Sequence, residues 1–185
     1  KSICTTVSPS LLQIAFHTNH VSQNFYAETL LKTISLKENG YGSTSGGVNR
    51  VMQYWKENNV DLAGLCMVDG SGVSRFNTIT ARQLAQVMAM YANDSLLFDS
   101  FYSTLAIAGE SGTLRSVADG TIAEGNIRAK SGYMSRVRSY TGYVKNLNGK
   151  MLAFSMIANN HDCTSVEIKE HFERLMVLMT ELDVP

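Results

Sequence analysis

Hydrophobic residues recur every three to four positions through the first two thirds of the chain, which is the period of an amphipathic helix. The pattern predicts five helices before Gly120, with apolar stripes at residues 11–15, 26–34, 48–55, 84–91 and 96–105. Ser8 and Pro9 form a start signal for the first helix, because serine is a favoured cap and proline fits the first helical position. A capping box over residues 80–83 opens the fourth helix.

After Gly120 the hydrophobic period falls to two, which is the period of a strand. Three strands are predicted at residues 127–131, 137–144 and 151–157, and the Asn-Gly pair at 148–149 favours a hairpin between the last two. A capping box over residues 164–167 opens a final helix. Its predicted apolar stripe consists of Ile168, Phe172, Leu175, Met179 and Leu182. The predicted fold class is α+β, with helices first and then an antiparallel meander on which the final helix packs.

Composition places the chain among globular proteins. Its 185 residues fit one ordinary domain, with 44% hydrophobic and 17% charged residues. Sixteen basic and sixteen acidic side chains cancel, so the net charge gives no support for a nucleic-acid partner. Residues 113–150 carry seven basic side chains against two acidic ones. Solvated surface accounts for most of these charges, and a positive site for an anionic ligand is the alternative.

Targeting and metal signals are absent from the sequence. No apolar run approaches the ~18 residues of a membrane-spanning helix, and no signal peptide is visible. Because the chain does not open with Met, we expect the natural N-terminus and its targeting segment to be missing. Cys4, Cys66 and Cys163 are scattered, which indicates no metal cluster and leaves their disulfide pairing open. His17 and His20 have metal-like spacing without a third ligand, so neither a metal nor a cofactor is predicted.

Two short motifs carry the candidate chemistry. Residues 22–24 form a Ser-x-Asn before the second predicted helix, and residues 130–132 form a Lys-[Ser/Thr]-Gly on a predicted strand. Average composition gives the first motif by chance in roughly half of chains this long and the second in roughly one in ten. Their alternatives are a helix cap and a strand that ends at a glycine turn. Together they are two of the three motifs of penicillin-recognising serine acyl-transferases; the third, Ser-x-x-Lys, is absent from residues 1–185.

These residue types suit acyl transfer. A nucleophilic serine needs a proton relay, an oxyanion site and an anchor for the substrate carboxylate. The Ser22 hydroxyl and a lysine of lowered pKa can relay protons, while the Asn24 amide can hold a peptide carbonyl. Lys130 offers a positive charge for a C-terminal carboxylate.

The strand residues after Lys130 complete the predicted site. Ser131 adds a hydroxyl, Gly132 allows a ligand to approach the backbone closely, and the N–H of Tyr133 can face an oxyanion. Strand alternation places Lys130 and Ser131 on opposite faces. Both can therefore reach one ligand only if it lies along an exposed strand edge, as an added strand does.

Four stretches carry a family resemblance, at residues 19–28, 68–77, 108–115 and 127–132. In this order they resemble the low-molecular-mass class C penicillin-binding proteins, the D-alanyl-D-alanine carboxypeptidase/endopeptidases. The resemblance extends over residues 8–160. Its most specific parts are the Asp-Gly-Ser-Gly-x-Ser-Arg that begins at Asp69 and the Gly-Thr-Leu-Arg that begins at Gly112.

The resemblance implies a β-lactamase/transpeptidase-like fold, of which residues 1–185 are the C-terminal portion, without the first strands and the nucleophile helix. It implies hydrolysis of D-Ala-D-Ala bonds or D-Ala cross-links in peptidoglycan stem peptides, acylation by β-lactams and a periplasmic or extracytoplasmic location. Ser22 is then the relay hydroxyl, Asn24 the substrate amide contact and Lys130 the electrostatic anchor. Ser131 and Gly132 line the binding strand, and Tyr133 gives an oxyanion N–H. Gln23 and Ser131 depart from the family's usual Asp and Thr.

Two other classes stay open. The first is a non-catalytic module that binds wall peptides, which differs from the enzyme in having no Ser-x-x-Lys encoded upstream. The second is a β-lactamase-like hydrolase, which is distinguished by comparing turnover of penicillin with turnover of a D-Ala-D-Ala peptide. The sequence leaves open the preference between carboxypeptidase and endopeptidase, and the oligomeric state. In the family fold the 130–132 strand lies at an outer sheet edge and the 151–157 strand has a further neighbour. We expect the second strand to be covered by another copy, by residues 1–7 or by a chain that carries the N-terminal portion.

Overall fold

The computed structural model of the chain describes residues 3–183. Its elements in chain order are α1 Leu11–Val21, α2 Asn24–Asn39, α3 Thr44–Glu57, α4 Ala81–Ala92, α5 Phe98–Thr104, β1 Ala106–Ile107, a 3-10 turn Gly112–Leu114, β2 Ile127–Met134, β3 Val137–Lys145, β4 Met151–Asn159 and α6 Ser165–Glu181. Within this range the strands form one antiparallel sheet in the order β1-β2-β3-β4. The predicted α+β class is confirmed. None of the described helices is long and apolar enough to cross a membrane.

Most element boundaries agree with the local sequence signals. The predicted strands are present as β2, β3 and β4, and the capping boxes at Thr80 and Thr164 open α4 and α6. The start of α1 differs, because the cap is Ser10 rather than Ser8. The Ser10 hydroxyl accepts a hydrogen bond from the Gln13 N–H, and the Gln13 side chain accepts one from the Ser10 N–H. This capping box satisfies two backbone donors at once, which a start at Ser8 and Pro9 does not.

The buried face of α6 is rotated from the predicted stripe. Ile168 and Phe172 are buried as predicted, but the line continues through Met176 and Thr180. Leu175 is 45% exposed and Leu182 is 51% exposed, so the prediction is wrong for these two leucines. The buried positions are spaced by four residues, so they lie on one side of the helix, and this side contacts the sheet.

Core residues cover both faces of the sheet. Tyr140 and Val144 of β3 belong to the cluster that includes the buried side chains of α6. Tyr143 points to the other face and packs with Val87 and Met88 of α4. Its hydroxyl donates a hydrogen bond to the Met88 carbonyl at 2.8 Å. The sheet is therefore held between α6 on one side and the helical half of the chain on the other, which fixes β2 relative to the helices.

Two sheet edges are open within the described residues. β1 pairs only with Arg128 and Ala129, so from Lys130 onward β2 has a strand on one side only. β4 pairs with β3 and has no described strand on its other side. Residues 3–7, which belong to one of the segments expected to cover β4, lie outside any strand, and residues 1 and 2 lie outside the described range. From Lys130 onward this edge of β2 therefore has no strand partner within the described residues.

Candidate active site

Ser22 lies at a sharp break between two helices. It caps the C-terminus of α1 with φ 58° and ψ 53°, and α2 begins two residues later at Asn24. The left-handed conformation is uncommon for a residue other than glycine. The N-cap of α2 is Gln23, so the alternative in which Ser22 is the N-cap of the second helix is wrong. Its hydroxyl is therefore not committed to the backbone of α2.

The two motifs meet through Lys130. The Lys130 Nζ donates a hydrogen bond to the Ser22 Oγ at 2.8 Å, across a sequence separation of 108 residues. It also donates to the Ser131 carbonyl at 2.6 Å. Among the described residues Lys130 forms no ion pair, and burial lowers its pKa from 10.5 to about 8. The chain thus places a lysine of lowered pKa against the hydroxyl that was predicted as the relay.

The pKa of Lys130 can be measured directly. We expect the ¹³Cε resonance of Lys130 to titrate near pH 8, and the Lys130→Arg variant identifies the signal by its loss. Because burial disfavours the charged form, the unfolded chain binds this proton more tightly than the folded chain. The contribution of Lys130 to stability therefore becomes less unfavourable as pH rises from about 8 towards 10.5. A titration midpoint at the ordinary lysine value of 10.5 contradicts the burial of this group.

Backbone direction along β2 explains the predicted role of Tyr133. The Ile127 carbonyl accepts a hydrogen bond from the Ala108 N–H on the β1 side. Successive residues of a strand direct their backbone groups to alternate sides, so Ser131 and Tyr133 direct theirs to this side as well. No described strand pairs there beyond Ala129. The N–H of Tyr133 therefore faces the open edge along which a ligand could lie.

The residues of this edge contact the neighbouring strand and the 3-10 turn at Gly112–Leu114. Ser131 Oγ donates a hydrogen bond to Thr113 Oγ1 at 2.8 Å. Gly132 pairs with Ser139 of β3, and a Cβ added to Gly132 collides with the Ser139 hydroxyl. The Tyr133 ring is 64% exposed, and the Arg138 guanidinium lies 5.7 Å from its centre. A side chain at position 132 therefore needs the Ser139 hydroxyl to rotate away.

Asn24 is exposed at the start of α2. Its side-chain amide forms no hydrogen bond with residues 3–183, so both its donor and its acceptor remain open to a ligand. The structure therefore brings Ser22 and Lys130 into contact, with Ser131 next to Lys130 on β2. Asn24 lies two residues after Ser22, at the start of α2.

Asn19 and His20 hold α1 in place, and the sequence motifs predict no role for either residue. The Asn19 amide donates to the Thr104 hydroxyl at 2.7 Å, and His20 Nδ1 lies 2.9 Å from the Thr104 carbonyl. The His20 ring stacks on Phe16 with centroids 3.8 Å apart. The described residues contain no group of three or more His, Cys, Asp or Glu side chains that could hold a metal ion. His20 thus fixes the last turn of α1, from which Ser22 follows.

Glu28 anchors the loop that begins at Asp69. One carboxylate oxygen of Glu28 accepts hydrogen bonds from the Gly70 N–H at 3.0 Å, the Ser71 N–H at 2.9 Å and the Ser71 hydroxyl at 2.7 Å. A Cβ at Gly70 stands 2.8 Å from the Ala27 carbonyl, so this loop approaches α2 as closely as glycine allows. The loop therefore fixes the helix that carries Asn24.

Removal of the Glu28 carboxylate is expected to destabilise the chain. Glu28→Ala leaves the Gly70 and Ser71 donors without their acceptor and should lower the free energy of unfolding by about 1–3 kcal/mol. Glu28→Gln keeps one oxygen acceptor and should lose less. Glu38→Ala is the matched control, because Glu38 forms only an exposed ion pair with Arg50 and should lose less than about 1 kcal/mol. Denaturant unfolding measures the three values, and equal losses for Glu28→Ala and Glu38→Ala contradict the anchoring role.

The site and fold together define a class. A Ser-x-Asn hydroxyl bonded to the lysine of a Lys-Ser-Gly strand, on an antiparallel sheet between helices, is the arrangement of penicillin-recognising serine acyl-transferases. Residues 1–181 match the family described as the D-Ala-D-Ala carboxypeptidase 3 (S13) family. The chain belongs to this family, which confirms the predicted recognition.

Individual relatives agree with this assignment. A D-alanyl-D-alanine carboxypeptidase from Actinomadura sp. (strain R39) is 38% identical over 145 residues, which are 76% of this chain and 27% of that protein. The penicillin-sensitive carboxypeptidase A of Dictyostelium discoideum is 30% identical over 183 residues, which are 95% of this chain and 35% of that protein. The chain therefore spans about a quarter to a third of the length of these relatives.

Solved structures confirm the predicted fold. Penicillin-binding protein 4 from Haemophilus influenzae, in complex with a β-lactam, superposes with a TM-score of 0.84 at 19% identity, over 92% of this chain and 41% of that one. The TLA-1 extended-spectrum β-lactamase superposes with a TM-score of 0.69 at 14% identity, over 95% of this chain and 64% of that one. The chain thus has the β-lactamase/transpeptidase-like fold.

Proposed function

We propose that residues 1–185 are the C-terminal portion of the catalytic domain of a longer serine-type D-Ala-D-Ala carboxypeptidase/endopeptidase, called here the longer protein. The observation that carries the proposal is the hydrogen bond from Lys130 to Ser22. Family membership and the share of each relative that the chain spans support it. The nucleophile of the longer protein then lies in a Ser-x-x-Lys segment outside this chain.

Each site residue has a proposed role in acyl transfer. Because Lys130 donates to Ser22 Oγ, the hydroxyl proton of Ser22 is directed away from the lysine and has no acceptor among residues 3–183. It can be donated to the leaving nitrogen of the terminal D-alanine, while Ser22 Oγ receives in its place the proton that the attacking serine gives up. Lys130, with a pKa of about 8, is mostly protonated at pH 7 and attracts the terminal carboxylate. Asn24 holds the peptide carbonyl, and the Tyr133 N–H contributes to the oxyanion site.

The ligand is proposed to be a peptidoglycan stem peptide or a β-lactam, bound along the open edge of β2. Among the described residues no strand pairs with Ser131 or Tyr133 on this side, which favours an extended peptide that adds to the sheet. The longer protein is proposed to lie in the periplasm or another extracytoplasmic compartment, and membership of the D-Ala-D-Ala carboxypeptidase 3 (S13) family supports this location.

Turnover by the longer protein tests this function. Release of D-alanine from a D-Ala-D-Ala-terminated peptide, measured by chromatography beside penicillin hydrolysis, should show peptide cleavage and a slowly released penicillin adduct. Faster turnover of penicillin than of peptide favours the β-lactamase-like alternative. Peptide binding without any cleavage, together with no Ser-x-x-Lys upstream, favours the non-catalytic module.

The edge of β4 that is unpaired among the described residues suggests a further partner for the chain. β4 reads Met-Leu-Ala-Phe-Ser-Met-Ile over residues 151–157, which is apolar and uncharged, and such an edge promotes association. We propose that it pairs with a second copy or with the N-terminal portion of the longer protein. Sedimentation and amide hydrogen exchange test this pairing. A clean monomer in which the amides of residues 152–157 exchange at random-coil rates while the rest are protected contradicts it.

A further inference from the structure

The 3-10 turn at Gly112–Leu114, with Ser111 before it, contacts both the end of α1, which precedes Ser22, and β2, which carries Lys130. The Ser111 hydroxyl lies 3.5 Å from Nε2 of His20, two residues before the Ser22 position. A Cβ at Gly112, where φ is +54°, stands 2.7 Å from the His20 carbonyl. Thr113 Oγ1 lies 2.8 Å from Ser131 Oγ. This turn is one of the two most specific parts of the family resemblance, yet motif chemistry assigns none of its residues.

The hydroxyl of Ser131 is directed at Thr113 rather than at the open edge. Ser131 Oγ donates to Thr113 Oγ1, and a serine hydroxyl has a single proton. A carboxylate offers acceptors only, so Ser131 in this orientation presents a lone pair to it. The hydroxyl proton of Thr113 has no acceptor within residues 3–183. It is therefore available to donate in the reverse direction.

We propose that Thr113 is a positioning residue for carboxylate recognition and acts through Ser131. When a ligand carboxylate binds, the hydrogen bond reverses: Thr113 donates to Ser131 Oγ, and Ser131 donates its freed proton to the carboxylate. Only the two hydroxyl protons rotate, and no covalent bond changes. A hydrogen bond to a carboxylate is charge-assisted, and a chain of two hydroxyls strengthens it through polarisation. The inference rests on the proposed function for the class of ligand, a peptide with a free C-terminal carboxylate.

The chain offers a matched control for the loss of a threonine hydroxyl. Thr121 Oγ1 donates to the Ala118 carbonyl at 2.7 Å, in a loop that shares no hydrogen bond with the site. Thr113→Val and Thr121→Val remove the same atom and keep the same shape. Thr113→Ser keeps the hydroxyl and serves as the rescue variant. Thr113→Ala is the second variant if Thr113→Val fails to fold.

Ligand binding to the 185-residue chain tests the inference without acyl transfer. The probes are N-acetyl-Lys-D-Ala-D-Ala and the same peptide with a C-terminal carboxamide, titrated while the backbone amide signals of Ser131 and Gly132 are followed by NMR. We expect Thr113→Val to weaken carboxylate binding by about five- to tenfold, which is the upper range for the loss of one neutral hydrogen bond, here the one from Thr113 to Ser131. Thr113→Ser and Thr121→Val should bind nearly as well as wild type. The carboxamide should bind wild type and Thr113→Val equally.

A double-mutant comparison separates positioning from packing. In a Ser131→Ala background, Thr113→Val should cause no further loss, because the hydroxyl through which it acts is gone. Three results overturn the inference. They are equal weakening of the binding of both peptides in Thr113→Val, full affinity of Thr113→Val for the carboxylate peptide, and no binding of the carboxylate peptide by wild type. Cleavage by the longer protein is measured separately, so absence of turnover with intact carboxylate binding counts against the proposed function and not against Thr113.

Discussion

Lys130→Ala is expected to abolish peptide turnover by the longer protein while leaving its fold intact. The substitution removes the charge proposed to attract the terminal carboxylate and the donor that holds Ser22 Oγ at 2.8 Å. Loss of a catalytic electrostatic contact of this kind costs on the order of a hundredfold or more in rate. Since Lys130 is a half-buried lysine with no ion pair among the described residues, its removal should not unfold the sheet. D-Alanine release, with near-ultraviolet circular dichroism as the fold measurement, checks both parts.

Two companion variants sharpen this result. Lys145→Ala removes an exposed lysine from the end of β3 in the same sheet and should leave turnover unchanged. Ser131→Thr should be well tolerated, because it keeps the hydroxyl that meets Thr113 and suits a strand. Near-wild-type turnover in Lys130→Ala removes Lys130 from the site. An equal loss in Lys145→Ala shows that the effect is a general one of surface charge.

The 185-residue chain alone should not be acylated by penicillin. It contains no serine with a lysine three residues further on, and the lysine that contacts Ser22 is the proposed anchor for the substrate carboxylate. Incubation with a fluorescent penicillin followed by intact mass should show no stoichiometric adduct, while a serine penicillin-binding enzyme treated in parallel is labelled. A covalent adduct on the chain contradicts the account. Ser22 and Ser71 are the serines to examine first, since Ser71 donates to the Glu28 carboxylate.

Local signals in the sequence were sufficient for most of the fold. The alternation that predicts β3 and the capping boxes of α4 and α6 depend on neighbouring residues, so the chain carries them in short segments. β1 was not predicted, because Ala106–Ile107 is only two residues long and shows no period. The predicted buried face of α6 is wrong at Leu175, which is exposed. The contact with the sheet, and not the hydropathy of the helix, decides which side of α6 is buried.

The candidate site was predictable only where a motif carries it. Ser22 and Lys130 follow from three-residue patterns, but their hydrogen bond is a product of tertiary packing. The contacts of Thr113 with Ser131 and of Glu28 with the loop at Gly70 join residues that no periodicity relates. The sequence signal that points to these contacts is the family-specific sequence of the two stretches that contain Thr113 and Gly70. A family-specific stretch indicates that a residue is constrained, but only the folded structure shows which atoms that residue contacts.

The central claim is that Ser22 and Lys130 form the relay half of a penicillin-binding site whose nucleophile lies outside residues 1–185. The most direct measurement is the position of the penicillin adduct in the longer protein, mapped by peptide mass spectrometry in wild type and in Lys130→Ala. The account predicts one stoichiometric adduct on the serine of a Ser-x-x-Lys outside this chain, formed on the order of a hundredfold more slowly in Lys130→Ala. An adduct on any serine of residues 1–185, or equal acylation rates in the two proteins, contradicts it.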